Sequence, residues 1–300
     1  MIDISDLRFL TALTSAPSLA AAARSLNVTP PAVSQRLAQI EARLHLRLVE
    51  RGRGPLRLTA EGAFLIERSR SILGELETLV DEMAARAGRI EGPLHVIAPF
   101  GFGRLRVAPI LSRFAGENPE LRPTLSLSED PLGAMRAGPW DVLIHVGRLP
   151  DLRIVQRKLA PNRRFLAAAP AYAARFGLPQ RPGDIADHRV GVVREDRADT
   201  TLWPLTGPDG AEMSLRVHPV YACNDGEVVR TWALDGFGIV ERSEWSISQD
   251  LRTGRLIRVL PDWSLPDADI VALLNPRAVR AVRVDAFVDR LAAEIGSGGA

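Results

Sequence analysis

The chain has 300 residues, of which 46% are apolar and 25% charged, the composition of a globular protein with room for two or three domains. Its net charge is only +2, and all basic residues except Lys158 are arginines, so the overall balance does not itself indicate a polyanionic partner. The single Cys223 excludes an intramolecular disulfide and fits a reducing compartment. No segment approaches a membrane span and the acidic N-terminus is not a signal peptide, so we expect a cytoplasmic protein.

The first part of the chain is predicted to be helical. Residues 4 to 14 carry one apolar stripe, and a short alanine-rich helix follows that Ser18 can cap. Residues 26 to 28 make a turn, after which Thr29 caps another helix with Pro30 at its first position, where the missing N–H costs nothing. This spacing predicts two helices packed around a tight turn.

The helix after Thr29 has two distinct faces. Val33, Leu37, Ile40 and Leu44 recur at helical spacing and predict an inward stripe. The polar side chains expected to point outward are those of Ser34, Gln35, Arg36 and Gln39. A short helix crossing a second one that presents Ser, Gln and Arg is the arrangement that places hydrogen-bonding groups in the DNA major groove.

A basic hairpin is predicted to follow over residues 47 to 58. Two short apolar arms flank a Gly-Arg-Gly-Pro turn, and Arg51 and Arg53 near its tip suit the minor groove and the phosphates. Residues 24 to 59 contain seven arginines against two glutamates, so positive charge is concentrated around the motif, as phosphate contact requires. The alternative is an ordinary three-helix domain with a solvated basic face.

Thr59 is predicted to cap a long helix that reaches about residue 87. At 1.5 Å per residue this helix is roughly 40 Å long, and a small domain cannot cover its apolar seam. We expect the same helix of a second subunit to cover it, with packing against the chain's own C-terminal domain as the alternative. The seam consists of Leu65, Ser69, Ile72, Leu76, Leu79 and Met83.

Beyond a hinge at residues 88 to 93, strands alternate with helices. The predicted strands are residues 94–98, 121–127, 140–146, 165–168, 189–193, 214–222 and 270–274. The predicted helices are residues 103–115, 131–137, 170–176, 226–234 and 278–293. The first of these elements form a βαβαβ run, which implies a parallel sheet with right-handed crossovers.

The N-terminal motif resembles a known family. Residues 7 to 66 are similar to the winged helix-turn-helix of the LysR-type transcriptional regulators, in the pattern Ser-Leu-Ala-Ala-Ala-Ala-Arg-Ser-Leu, Pro-Ala-Val-Ser-Gln, Leu-Val-Glu-Arg and Leu-Thr-Ala-Glu-Gly. The resemblance implies an all-α winged helix-turn-helix over residues 1–58, a linker and dimerisation helix over 59–88, and an α/β effector-binding domain over 89–300. That domain would have two lobes like a periplasmic binding protein (type 2), lobe I at 93–162 and 266–295 and lobe II at 163–265.

The resemblance also implies a function and its partners. We expect a transcriptional regulator that binds double-stranded promoter DNA as a homodimer, assembled further into a tetramer, with RNA polymerase as a further partner. A small-molecule effector, an organic acid or similar metabolite, would bind between the lobes. The predicted DNA-binding residues are Ser18, Thr29, Pro31, Ser34, Gln35, Arg36, Gln39, Arg51 and Arg53.

The effector cleft is predicted at the carboxyl ends of the strands, where helix N-termini supply N–H groups. Arg148 and Arg194 are candidate carboxylate partners, although each could be an ordinary surface arginine. Trp203 could form an apolar wall or simply belong to the core. The full predicted set is Phe100, Gly101, Phe102, Ser128, Asp130, Arg148, Ala169, Arg194, Trp203, Asn224 and Asp225.

Signals for an enzyme are weak. Gly101 and Gly103 imitate a dinucleotide-binding fingerprint, but Arg106 stands where the third glycine belongs. The five histidines have no metal-ligand spacing, so we predict no metal, no cofactor and no enzymatic activity. The alternative function is a small-molecule-binding protein or enzyme with an accessory DNA-binding segment.

Overall fold

The structure, a computed structural model, consists of two compact units, residues 1–88 and 89–300. It describes residues 2–14, 18–50, 56–136, 138–149, 151, 153–195, 199–276, 278–279 and 281–297. In these parts of the chain no helix is both long enough and apolar enough to cross a membrane.

The N-terminal unit contains the four predicted helices. They are α1 (Ile4–Thr14), α2 (Leu19–Ser25), α3 (Pro30–Leu44) and α4 (Ala60–Arg86). Ser18 Oγ accepts a hydrogen bond from Ala21 N at 3.1 Å, and Thr29 Oγ1 accepts one from Ala32 N at 3.4 Å, so both predicted caps are confirmed. The apolar stripe of α3 packs with α1, α2 and the first turns of α4 into one core.

The hairpin region lies between α3 and α4. Val49 and Leu58 form an antiparallel bridge, and Glu50 N donates to Arg57 O at 2.9 Å, so the two arms pair as predicted. The predicted tip, which contains Arg51 and Arg53, lies outside the described residues.

The C-terminal unit contains strands and helices in alternation. The strands are β1 (Gly92–Pro99), β2 (Leu121–Ser128), β3 (Val142–Val146), β4 (Val155–Ala160), β5 (Arg164–Ala168), β6 (Val190–Val193), β7 (Leu202–Thr206), β8 (Glu212–Arg216), β9 (Pro219–Cys223), β10 (Ile239–Ser243), β11 (Ile257–Val259) and β12 (Ile270–Leu274). The helices are α5 (Phe100–Phe102), α6 (Ala108–Glu117), α7 (Pro131–Ala134), α8 (Pro170–Phe176), α9 (Gly226–Leu234), α10 (Glu244–Arg252) and α11 (Val282–Ser297). A π-helical segment, Gly103–Val107, joins α5 to α6, and a 3-10 helix covers Pro182–Asp187.

Two five-stranded sheets form the two lobes of this unit. The first has the order β2-β1-β3-β12-β4, with β1 parallel to both β2 and β3, which confirms the predicted βαβαβ run. Strand β12, the last strand in the chain, is antiparallel to β3 and β4. The second sheet has the order β11-β5-β10-β6-β9. We call the first sheet with its helices lobe I and the second sheet with its helices lobe II.

One predicted strand of the C-terminal unit is wrong, and several elements were missed. The single strand expected over residues 214–222 is two strands, β8 and β9, which belong to different sheets and are separated by Val217 and His218. Val217 is buried and its N–H bonds back to Thr201 O, which holds β8 on β7 while the chain leaves for the second sheet. Strands β4, β7, β10 and β11 and helix α10 were not predicted.

The chain crosses between the lobes twice, after β4 and before β12. Asn162, which is only 3% exposed, joins the two crossings because its Nδ2 donates to Ala268 O at 2.9 Å and Ala268 N donates to Asn162 O at 2.8 Å. The same amide group bonds to Ser243 Oγ and accepts from Trp245 N, at the junction of β10 and α10. One buried side chain therefore fastens both crossings to lobe II.

Candidate functional site

The outer face of α3 carries a row of small polar side chains. Ser34, Gln35 and Gln39 are exposed, as predicted, and so is Pro31 in the first turn. Ser34 Oγ donates to Pro30 O at 3.1 Å, which fixes the hydroxyl close to the helix. The side-chain amides of Gln35 and Gln39 make no hydrogen bond within the described residues, so their donors and acceptors face outward unpaired.

Arg36 differs from the prediction that it points outward. Its Nη2 donates to Ser5 Oγ at 2.7 Å and lies 3.5 Å from Asp6 Oδ1. The guanidinium carbon lies 4.9 Å from the centroid of the Phe9 ring. Asp6 is almost fully buried and needs cationic partners, which explains why the side chain turns toward α1. Arg36 therefore braces α3 on α1.

A second buried carboxylate attaches the hairpin to α3. Glu41 Oε1 accepts from Leu48 N at 2.8 Å and from Val49 N at 3.3 Å, and Oε2 accepts from Arg47 at 3.0 Å. Glu41 is only 8% exposed, and its bond to Leu48 N is shielded from water. The first hairpin arm is thus placed relative to α3 by one side chain that the sequence reading did not single out.

The second half of α4 exposes an apolar strip. Ile72, Leu79 and Met83 of the predicted seam are 46%, 56% and 57% exposed, and Val80 lies beside them. Ser69 differs, because it is buried and donates to Leu65 O within the core of the N-terminal unit. Among the described residues, the predicted seam therefore splits into an N-terminal part that packs in this unit and a C-terminal part that is exposed.

A cleft of about 510 Å³ lies between lobes I and II of the C-terminal unit. Of the predicted effector-binding residues, Gly101, Phe102, Arg148 and Trp203 line this cleft. Arg148 is exposed, whereas Trp203 is 1% exposed and mainly part of the lobe II core. Asp130, Arg194 and Asn224 instead line an adjoining open recess of about 790 Å³.

The remaining predicted residues do not line the cleft or the recess. Ser128 Oγ accepts from Asp130 N at 3.0 Å, so this hydroxyl shapes the loop before α7. Ala169 is buried at the start of α8, and Phe100 begins α5. Asp225 caps α9 by accepting from Glu227 N at 2.9 Å.

Asp225 also joins the two lobes directly. Its carboxylate accepts from Arg104 of lobe I at 2.6 Å, and Asn224 bonds to Glu129 of lobe I. A methyl group on Gly101 would lie 3.1 Å from Glu227 Cγ, so the missing side chain lets the lobes approach here. The loops that were predicted to bind a ligand at residues 128–130 and 224–225 are thus engaged in direct contacts between the two lobes.

The residues that sequence reasoning missed come mainly from β10 and the crossing segments. Arg242 is 8% exposed and lines the cleft, and Arg164 and Glu241 form an ion pair of 2.7 Å beside it. Trp245 lies edge-to-face with Phe102, at 5.0 Å between ring centroids, and both rings also line a cavity of about 210 Å³ behind the cleft. The signal available in the sequence was a Glu-Arg pair directly after the apolar residues Ile239 and Val240.

A helix-turn-helix unit followed by a two-lobed α/β domain with a cleft defines a ligand-responsive DNA-binding protein. The chain belongs to the LysR family: residues 87–296 match the model of the LysR substrate binding domain, and residues 4–63 match the bacterial regulatory helix-turn-helix protein model of the lysR family. Members of this family bind promoter DNA and small-molecule effectors, and the chain is a DNA-binding transcriptional regulator of this type with an effector-binding domain.

Known relatives are similar in sequence to this chain over nearly its whole length. The HTH-type transcriptional regulator DmlR of Escherichia coli K12 is 31% identical, covering 96% of this chain and 93% of the relative. The HTH-type transcriptional activator TtdR of Escherichia coli CFT073 is 32% identical, over 96% and 92% of the two chains. Among solved structures, CrgA of Neisseria meningitidis has a TM-score of 0.62 at 26% identity, over 99% of this chain and 100% of its own. AphB of Vibrio cholerae has the same fold, with a TM-score of 0.63 at 22% identity, over 97% and 99%.

Proposed function

We propose that α3 enters the major groove of a dyad-symmetric promoter site and reads base edges with Gln35 and Gln39. The supporting observation is that both amides are exposed and unbonded on a helix whose other face is anchored in the core. The proposed contact set also includes Ser18, Thr29, Pro31 and Ser34, with Arg51 and Arg53 at the hairpin tip. Arg36 has a positioning role in this proposal.

We propose further that the protein works as a homodimer, assembled into a tetramer, in the cytoplasm where its DNA is. The uncovered apolar strip of α4 supports pairing through this helix, since a second copy would bury it. RNA polymerase is the proposed partner of the DNA-bound assembly.

The proposed effector is a small organic acid bound in the interlobe cleft. The cleft combines aromatic and apolar walls with the guanidinium groups of Arg148, Arg164 and Arg242, which suits a carboxylate attached to an apolar body. Its binding would change the relation of the lobes and thereby DNA affinity. By linkage, DNA and effector must each change the affinity for the other.

The groove assignment can be tested with promoter fragments from the gene's own neighbourhood and random duplexes. Gln35→Ala should reduce discrimination between them by about 1–3 kcal/mol, because a bidentate amide contact is lost. Arg53→Ala should weaken binding to all duplexes and lower the salt dependence. Fluorescence anisotropy at several salt concentrations measures both effects.

Gln180→Ala is the matched control, because Gln180 is an exposed glutamine in the C-terminal unit. Its DNA binding should equal that of the wild type. If the Gln35 and Arg53 variants also retain both affinity and preference, α3 and the hairpin do not contact DNA.

A further inference from the structure

Arg242 occupies an unusual position at the cleft. It lies on β10, is only 8% exposed and lines the interlobe cleft together with Gly226, the first residue of α9. A methyl group on Gly226 would lie 2.2 Å from Arg242 Nη1, so the guanidinium packs directly on the start of that helix. The position combines a buried cation with the positive end of a helix dipole.

The hydrogen bonding of Arg242 is incomplete. Nη2 donates to Glu227 Oε1 and to Ser246 Oγ, each at 3.3 Å, and these are the hydrogen bonds of its side chain among the described residues. Nε is shielded from solvent and has no acceptor there. A guanidinium has five N–H donors, and burying a donor without an acceptor costs free energy. The buried Nε–H of Arg242 is such a donor, so this side chain lacks one acceptor.

The neighbouring carboxylates, Glu227 and Asp250, make no hydrogen bond to Nε of Arg242. Asp250, which is fully buried, accepts from Arg230 at 2.6 Å and lies 2.5 Å from Arg255. Glu227 is shared, since it pairs with Arg230 as well as with Arg242. Three arginines therefore share two carboxylates, and Arg242 is the member of this network that faces the cleft.

Other acidic groups that line the cleft are already engaged. Glu241 bonds to Arg164 at 2.7 Å, and Asp199 bonds to Arg216 at 2.6 Å. Glu195, the third acidic residue at the cleft, also has an interaction partner. No acceptor among the described residues bonds to Arg242 Nε, so a ligand bound in the cleft would supply one.

We propose that Arg242 is the lobe II anchor for a carboxylate group of the ligand. This inference rests on the proposed role of the cleft as the effector site and assigns that role a particular residue and ligand group. The ligand carboxylate would complete the three-arginine network at the start of α9, while its apolar body lies against Phe102 and Trp245. Because Asp225 at the same helix start bonds to Arg104 of lobe I, ligand binding there adjoins the direct contact between the lobes.

The test is calorimetric titration of the full chain with propionate, succinate and benzoate, and with the corresponding amides. At least one acid should bind at millimolar concentration while its amide does not, because only the carboxylate supplies a charged acceptor. Arg242→Lys should weaken that binding by about tenfold or more, since a lysine keeps the charge and loses the planar fork.

Arg181→Lys is the matched control, because Arg181 lies in lobe II, forms an exposed ion pair with Asp184, lies outside the three-arginine network and does not line the cleft. It should change acid affinity by no more than about twofold, as expected for an exposed ion pair. Circular dichroism and DNA binding of each variant show that it is folded. Equal binding of acid and amide, unchanged affinity in Arg242→Lys, or no binding by any of the three acids would overturn the proposal.

The two proposals fail in different ways. Wild-type protein that prefers promoter DNA and ignores these acids refutes the role of Arg242 and leaves DNA recognition standing. Wild-type protein that binds an acid through Arg242 and shows no DNA preference refutes the DNA-reading proposal alone.

Discussion

Individual buried carboxylates organise this molecule at the residue scale. Asp6 attaches α3 to α1, Glu41 attaches the hairpin arm to α3, and Asp250 gathers the arginines around α10. Each is below 10% exposed, and each has at least two hydrogen-bonding or ionic partners. Removing one arginine from such a site leaves a buried charge, which costs more than the ion pair itself contributes.

The ion pair between Arg163 and Glu244, at the first crossing between the lobes, should make the free energy of unfolding depend on pH. Two hydrogen bonds of 3.0 and 2.6 Å from the Arg163 guanidinium lower the pKa of the Glu244 carboxyl below its usual 4.5. The pKa of Glu244 is lower in the folded state than in the unfolded state. The ion pair therefore stabilises the fold at any pH above the pKa of the unfolded state, and this stabilisation is lost as the pH falls through the pKa of the folded state. Glu244→Gln should lower the unfolding free energy by about 0.5 kcal/mol at neutral pH.

Urea unfolding at neutral pH and at about pH 3 checks this expectation, because the difference between wild type and Glu244→Gln should shrink on acidification. Glu212→Gln, at an exposed glutamate on β8, should show no such pH-dependent difference. A difference that persists unchanged at low pH would contradict the ionic explanation.

At the element scale, the start of α4 depends on one close backbone approach. A Cβ atom on Gly62 would lie 2.0 Å from Leu48 O, a carbonyl that also accepts from Thr59 N. Gly62→Ala should therefore destabilise the N-terminal unit by about 2 kcal/mol or more, because backbone rather than a flexible side chain must move. Urea unfolding followed by circular dichroism measures the loss.

Gly116→Ala is the control, since nothing lies within 4 Å of a Cβ atom built at this helical position of α6. It should be neutral or stabilise by up to about 1 kcal/mol through helix propensity. Equal effects of the two substitutions would show that the approach at Gly62 is not the cause.

The elements predicted correctly from the sequence are those whose apolar residues follow one simple pattern, either a helical stripe or a continuous apolar run. The caps Ser18 and Thr29 and the stripe of α3 made the N-terminal helices readable, as did the apolar runs of β1, β3 and β12. Strand β10 was missed because Glu241 and Arg242 interrupt its apolar pattern, and Arg164, the partner of Glu241, lies 77 residues earlier in the chain. Strand β4 was missed because only its last two residues are buried.

The site could be predicted only as far as local sequence decides it. The outward amides of α3 follow from helix spacing, whereas the direction of Arg36 depends on Asp6, 30 residues earlier, being buried. Likewise, the loops at Gly101 and Asp225 were correctly placed at strand ends, but their direct contact depends on how the lobes meet. Contacts between distant segments set these details, and no short motif records them.

At the scale of the whole molecule, the uncovered strip of α4 is the feature that would control assembly. Leu79→Asp should give monomers in multi-angle light scattering, because a charge would have to be buried in the proposed dimer contact. Its DNA affinity should fall by about a hundredfold, since two linked heads bind a dyad-symmetric site far more tightly than one.

Leu79 is more than half exposed, so the substitution should leave the fold of the subunit intact. Glu67→Ala, an exposed position on a different face of α4, should preserve both the mass and the DNA affinity of the wild type. A native mass in the Leu79 variant would show that the subunits associate elsewhere.

The fastening of both crossings by Asn162 gives the C-terminal unit a pivot. Because two short connections are held at a single buried amide, we expect the lobes to change their relation by turning about this point rather than by sliding. Displacement grows with distance from an axis, and the outer ends of the lobes therefore travel much farther than the atoms beside the ligand. In the proposed function, a turn too slight to disturb the bonds of Asn162 would produce a large movement at the periphery of the lobes, and a small metabolite would act on DNA through that movement.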